Sequence, residues 1–187
     1  MNTGYEQTSV NTIIEQAGIA KGTFYHYFKS KEDVLDEMVK GYIENIAEAL
    51  DIICKDSGTN AMQKLQNAII SVFYTIRGKE GLFGSLHEDN NIILHNKVER
   101  KMNEMVSPLL SRIMAEGVHT GTFRIKYPPE AAEYLIVIMG HLFDLISMKE
   151  GRSQYDGVIY VAGHLIESML GVEEGSLDMN LLKSLRA

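Results

Sequence analysis

The chain reads as an all-α protein, and three observations lead there. Apolar residues recur three and four positions apart along nearly its whole length, the pattern of helices that bury one face. No stretch alternates apolar and polar residues as a half-buried strand does, and no internal repeat or low-complexity tract interrupts the pattern. Only 3 prolines occur in 187 residues, so helix breakers are scarce. A chain of this length buries a sizeable core, and 45% hydrophobic with 23% charged residues is ordinary for a soluble globular protein.

The first element is a short helix capped by Thr8 or Ser9, whose hydroxyl accepts from an N–H that the first turn leaves without a partner. Val10, Ile13, Ile14 and Ala17 supply its inner face, and Gly18 ends it, since glycine takes the left-handed conformation at little cost. Ile19 is expected to point back into the core as the chain reverses. A second helix starts near Ala20 with Phe24 and Phe28, four apart, as buried anchors. Its exposed face then carries Lys21, Gly22, Thr23, Tyr25, His26 and Tyr27. Gly22 costs about 1 kcal/mol of helix stability against alanine, which fits a helix whose backbone must come close to another surface. Ser30 caps a third helix with Glu32 and Asp33 in its first turn.

Two short helices meeting at a glycine turn, the second bearing small, basic and aromatic polar groups, present one helix to the major groove of DNA. Lys21 and Thr23 reach base edges, Gly22 permits close approach, and Tyr25, His26 and Tyr27 suit phosphate oxygens. Lys31 adds a positive group where a phosphate would sit, and Thr8 and Ser9 are weaker candidates for contact. Ala17-Gly18-Ile19, Lys21 to Phe28 and Lys29-Ser30-Lys31-Glu32 together resemble the TetR family of bacterial transcriptional regulators. The resemblance is strong over the first quarter of the chain and architectural beyond it. It implies a homodimer that holds two such helices on a near-palindromic double-stranded operator and responds to a small-molecule effector.

Charge and the N-terminus do not fit this simply. The chain carries a net charge of −7. Residues 1–34 hold three lysines against four acids, whereas DNA affinity depends on basic groups meeting phosphates. TetR-like proteins begin with a further, often basic helix, and Met1 to Tyr5 reads as the end of such a helix and its turn. The expected architecture is therefore a helix-turn-helix head lacking its first helix, with apolar surface exposed around Ile14, Leu35, Met38 and Tyr42.

The third helix is expected from Lys31 to about Cys54, with an inner stripe of Leu35, Met38, Tyr42, Ile46, Ala49 and Ile53. Asp56 to Thr59 breaks it, giving a DNA-binding region over residues 1–55 and a ligand-binding and dimerisation body over 56–187. Within the body, a helix from Asn60 to Arg77 carries Leu65, Ile69, Val72, Phe73 and Ile76. A short helix follows near Glu80 to Leu86. Asp89 or Asn90 caps a long helix to Glu116, which Pro108 kinks or restarts after Ser107. Gly117 to Tyr127 is a loop. Pro128-Pro129-Glu130 opens a helix to about Lys149, Ser153 caps another from Gln154 to Leu170, and a weak last helix spans Leu177 to Leu185. The helix from Pro129 is apolar nearly all round, so it must be buried on more than one side. Pairing with a second copy satisfies that demand through an isologous interface.

Cys54 is the only cysteine, which excludes an intrachain disulfide and fits a reducing cytoplasm. Residues 1–20 lack the basic and apolar pattern of a signal peptide, and Leu135 to Met148, the most apolar run, is too short to span a membrane. His87, Glu88 and Asp89, with His95 eight residues on, lack metal-ligand spacing and read as surface polar groups, so no metal or cofactor is expected. Nor is an enzyme expected, because no nucleophile elbow, phosphate loop or paired-carboxylate arrangement occurs. Phe73, Tyr74 and His141 are the expected lining of an effector cavity. The leading expectation is a repressor released by its ligand. The alternatives are a dimeric ligand- or protein-binding module without operator binding, and a small helical enzyme using His87 or His141.

Overall fold

The computed structural model describes residues 5, 7–77, 92–147 and 155–179, and among them it contains eight α-helices and no strand. In chain order these are α1 (Val10–Ala17), α2 (Lys21–Tyr27), α3 (Lys31–Lys55), α4 (Ala61–Arg77), α5 (Ile92–Met105), α6 (Ser107–His119), α7 (Pro128–Ser147) and α8 (Tyr155–Leu170). The expected helix near 80–86, the caps at 89–90 and 153, and most of the expected final helix lie outside the described residues. Leu177 to Met179 is not helical.

The helix starts follow local chemistry. Ser9 caps α1 by accepting from the Thr12 N–H at 3.1 Å, and Ser30 caps α3 by accepting from Asp33 at the same distance. Asn60 and Gln63 satisfy each other's backbone N–H reciprocally at 2.9 and 3.0 Å, a capping box at the start of α4. Pro108 sits in the first turn of α6, so the expected long helix is divided at Val106 into α5 and α6.

Helix α3 is the spine, packed along its length by α4, α5 and α6. Its buried row runs Leu35, Val39, Ile43, Ile46, Leu50, Cys54, with Tyr42 beside it. The expected stripe is thus partly out of phase: Met38 is exposed, and Ala49 and Ile53 are half-buried. The observed row turns the bulkier Leu50 inward where the expected stripe has Ala49, which buries more apolar area. Of the residues expected to be laid bare near the head, Leu35 and Tyr42 are buried and Ile14 is half-buried. Ile19 is exposed rather than turned into the core, because α1 contributes no buried residue for it to meet. Phe28 is half-buried, leaving Phe24 as the fully buried anchor of α2.

One polar cluster lies within this core. Lys64, on α4, is 5% exposed, and its ammonium meets both carboxylate oxygens of Glu116 on α6 at 2.8 Å. It also donates to the Cys54 carbonyl at the end of α3, at 3.3 Å. The Cys54 thiol points to the Leu109 carbonyl at 3.5 Å. Burial pushes that thiol above its ordinary pKa, partly opposed by the neighbouring Arg112 guanidinium, so Cys54 is a packing residue. After α6 the loop folds Phe123 back over Gly117, where any Cβ would lie 2.0 Å from the ring. Helix α7 then packs along α6 and against α8.

The Lys64 side chain is buried and that of Glu116 half-buried, so removing Glu116 leaves a buried ammonium without its counter-charge. Glu116→Ala is expected to lower the unfolding free energy by about 1–3 kcal/mol, between the ranges of exposed and buried pairs, while the Lys64→Met/Glu116→Leu double variant recovers most of that loss. Urea unfolding measures both. A single-variant loss below about 1 kcal/mol, the range of exposed pairs, would refute the assignment.

Candidate nucleic-acid interface

The head is built so that α2 stands outward. Gly18 adopts the left-handed conformation (φ 64°), and the Gly18 and Ile19 N–H groups close the end of α1 onto the Glu15 and Ile14 carbonyls at 3.3 and 3.2 Å. The chain thereby reverses into α2 within three residues. Phe24 is 1% exposed, and its ring lies 5.7 Å from that of Phe28. With this residue inserted, the opposite face of α2 is presented to solvent.

All six residues expected on that face are exposed: Lys21, Gly22, Thr23, Tyr25, His26 and Tyr27. The Lys21 ammonium lies 6.0 Å from the Tyr25 ring, and His26 meets Tyr27 edge-on at 4.9 Å. Nothing in the fold approaches the Gly22 Cα closely, so the absent side chain leaves room for a partner instead. The two hydroxyl candidates divide: Ser9 is exposed and spends its oxygen on the α1 cap, while Thr8 is half-buried.

Lys31 departs from expectation. Its ammonium donates to the Tyr5 carbonyl at 2.8 Å and sits 4.3 Å from the Tyr5 ring, so it ties Tyr5 to α3 and is not a freely projecting charge. Lys29, in the motif but not among the expected contacts, is the exposed cation between α2 and α3. Its N–H is held by the Asp33 carboxylate at 2.8 Å, which fixes the backbone while the side chain is exposed. Its position directly after the α2 aromatics is the sequence signal for it.

The expected effector residues do not converge. Phe73 is buried with its ring 6.5 Å from Phe143, but Tyr74 is 60% exposed and His141 is exposed. Periodicity cannot tell the inner from the outer side of helices apolar on most faces, and both residues lie on outer sides. What the body does contain is a wholly apolar gap among α4, α5, α6 and α7, bounded by residues including Ile69, Val72, Met102, Leu110, Ile136 and Met139. Its free volume is about 20 Å³, room for little more than one water. Large apolar side chains are also exposed on α7 (Tyr134, Val137) and on α8 (Tyr160, Val161, Leu165). Among the described residues no helix is long and apolar enough to cross a membrane, and no cluster of His, Cys, Asp and Glu is arranged to hold a metal.

Comparison with known proteins agrees with this geometry. Residues 2–38 match the family model described as bacterial regulatory proteins, tetR family. The chain is 31% identical over 124 residues to the fatty acid metabolism regulator protein of Bacillus subtilis, covering 65% of this chain and 63% of that protein. It is 36% identical over 134 residues to the transcriptional repressor KstR2 of Mycobacterium tuberculosis, covering 65% and 62%. The chain thus spans a little under two thirds of the length of these two relatives. Its fold superimposes on the B. subtilis transcriptional regulator FadR, solved in complex with stearoyl-CoA, with a TM-score of 0.69 at 23% identity over 91% of both chains. The fatty acid degradation regulator FadR of Bacillus halodurans gives a TM-score of 0.70 at 20% identity over 92% of this chain and 90% of that one. Residues 2–38, which include the helix-turn-helix, are thus similar to the tetR family of bacterial regulatory proteins, and the fold of the whole chain is that of the two FadR structures.

Proposed function

We propose that this protein is a DNA-binding transcriptional regulator, a repressor that dissociates from its operator when a long-chain acyl thioester occupies the apolar gap. The observation that carries the first half is the exposed α2 face, with Lys21, Gly22 and Thr23 held outward by the buried Phe24. Lys21 and Thr23 read base edges, and Tyr25, His26, Tyr27 and Lys29 position phosphates. The exposed apolar residues of α7 and α8 support a homodimer, which sets two α2 helices against a near-palindromic site.

The second half rests on the gap's lining, which is apolar throughout and includes two methionines. A drug-sized ligand needs roughly 300–1,000 Å³, so an acyl chain enters only as the helices part and the unbranched Met102 and Met139 change rotamer. The fatty-acid regulators to which the chain is similar support this ligand class. Helix α5 carries both Met102 and Lys97, and Lys97 pairs with Asp36 near the head end of α3 at 2.5 Å. Displacement of α5 by ligand therefore acts on α3 and changes the spacing of the two heads. Complete switching from 1:99 to 99:1 needs about 5.5 kcal/mol of differential affinity.

A second reading is a dimeric ligand-binding module that does not engage DNA. The net charge of −7 and the engagement of Lys31 by Tyr5 favour it. Failure to retard its own promoter fragment at low salt would decide for that reading.

Three outcomes test the main proposal. Lys21→Ala and Thr23→Ala are each expected to weaken specific relative to non-specific DNA binding by about 1–3 kcal/mol, whereas Lys29→Ala weakens all sequences alike and flattens the salt dependence. Fluorescence anisotropy at several salt concentrations separates them, and identical behaviour of the three variants contradicts the assignment. Stearoyl-CoA is expected to release the wild type from DNA, with Val72→Phe raising the concentration needed by about tenfold, or 1.4 kcal/mol. Release unaffected by that variant argues against the gap. Val137→Glu and Leu165→Glu are expected to give monomers by sedimentation equilibrium; a dimer unaffected by both places the interface elsewhere.

A further inference from the structure

A second cavity lies away from the apolar gap, between α8 and the segment Gly171–Met179 that folds back over it. Its volume is about 190 Å³. Two side chains of α8 fasten the returning segment. Leu177 donates its N–H to the Glu167 Oε1 at 2.9 Å, and the Tyr160 hydroxyl donates to the Glu174 carboxylate at 2.6 Å. Ile159, Leu177 and Met179 contribute the apolar part of the lining.

Glu167 is the unusual group. It is 5% exposed and borders the cavity, yet among the described residues no lysine, arginine or histidine pairs with it. One carboxylate oxygen accepts from the Leu177 N–H, and the carboxylate lines the cavity, to which its other oxygen is open. A carboxylate that borders a cavity without a counter-charge among the described residues favours a cation there, and Glu174 on the same wall adds a second negative charge. The aromatic groups on that wall match a cation too. Tyr160 and His164 line it with rings 10° from parallel and centroids 6.5 Å apart, offering π-faces that attract positive charge.

From this geometry we infer that the cavity is a binding site for a small alkylammonium cation, its nitrogen at Glu167 and its hydrocarbon part against Ile159, Leu177 and Met179. The two acids repel anions, so the phosphates of an acyl-CoA are excluded here. The site is distinct in lining and charge from the gap among α4, α5, α6 and α7, and the proposal is independent of DNA binding. Tyr160 and His164 lie on the helix face proposed to meet a second copy, which puts the cavity beside that interface.

Isothermal titration of the full chain with n-butylammonium chloride tests the site, with n-butanol and sodium butyrate as the neutral and anionic isosteres. Saturable binding of one butylammonium per chain is expected, with neither isostere binding. Glu167→Gln keeps an oxygen acceptor for the Leu177 N–H while removing the charge, and is expected to weaken binding by about tenfold or more. Tyr160→Leu, at an exposed position, weakens it independently should the Gln variant fold poorly. No saturable heat with the wild type, equal binding of n-butanol, or unchanged affinity in both variants would overturn the site.

Discussion

The bond between Lys64 and Glu116 is the constraint around which the body is organised. A lysine ammonium removed from water has to be met on several sides, and here two carboxylate oxygens and the Cys54 carbonyl meet it. The ammonium comes from α4, the carboxylate from α6 and the carbonyl from α3, so satisfying one charge fixes the mutual position of three helices. The C-terminal end of α3 is thereby held in the core. Its N-terminal end, which carries the head, is held by the more exposed Lys97–Asp36 pair. Fastening is tight where the helix joins the body and lighter where it joins the reading surface.

The head works by a different economy. Nothing in α1 is buried and α2 contributes only Phe24, so the geometry of this part depends on caps and one glycine more than on packing. That is why it was legible in the sequence. Ser9, Gly18 and Ser30 act on N–H and carbonyl groups within five residues of themselves, and such signals survive without knowledge of the rest of the chain. The outward face of α2 follows directly from the position of Phe24.

What escaped the sequence was long-range or a matter of phase. Lys31 and Tyr5 are 26 residues apart, and Lys64 and Glu116 are 52 apart; no local pattern joins either pair. In α3, Met38 and Val39 are both apolar neighbours, and only packing against α4, α5 and α6 decides that Val39 is the buried one. The same ambiguity placed Tyr74 and His141 in an imagined cavity. Glu167 escaped for another reason: a single acid on an apolar helix reads as a solvated side chain until the fold-back of Leu177 onto it is seen.

The interruption at Val106 has a mechanical consequence. Had α5 and α6 been one uninterrupted rod, anchoring Glu116 would have immobilised everything back to Ile92. With a joint between them, the direction of the first half is set by its own packing on α3 and the Lys97–Asp36 pair, not by the anchor at Glu116. Proline at the second position of the later helix accounts for that joint, and the break at Val106 falls one turn past Met102 on the wall of the apolar gap.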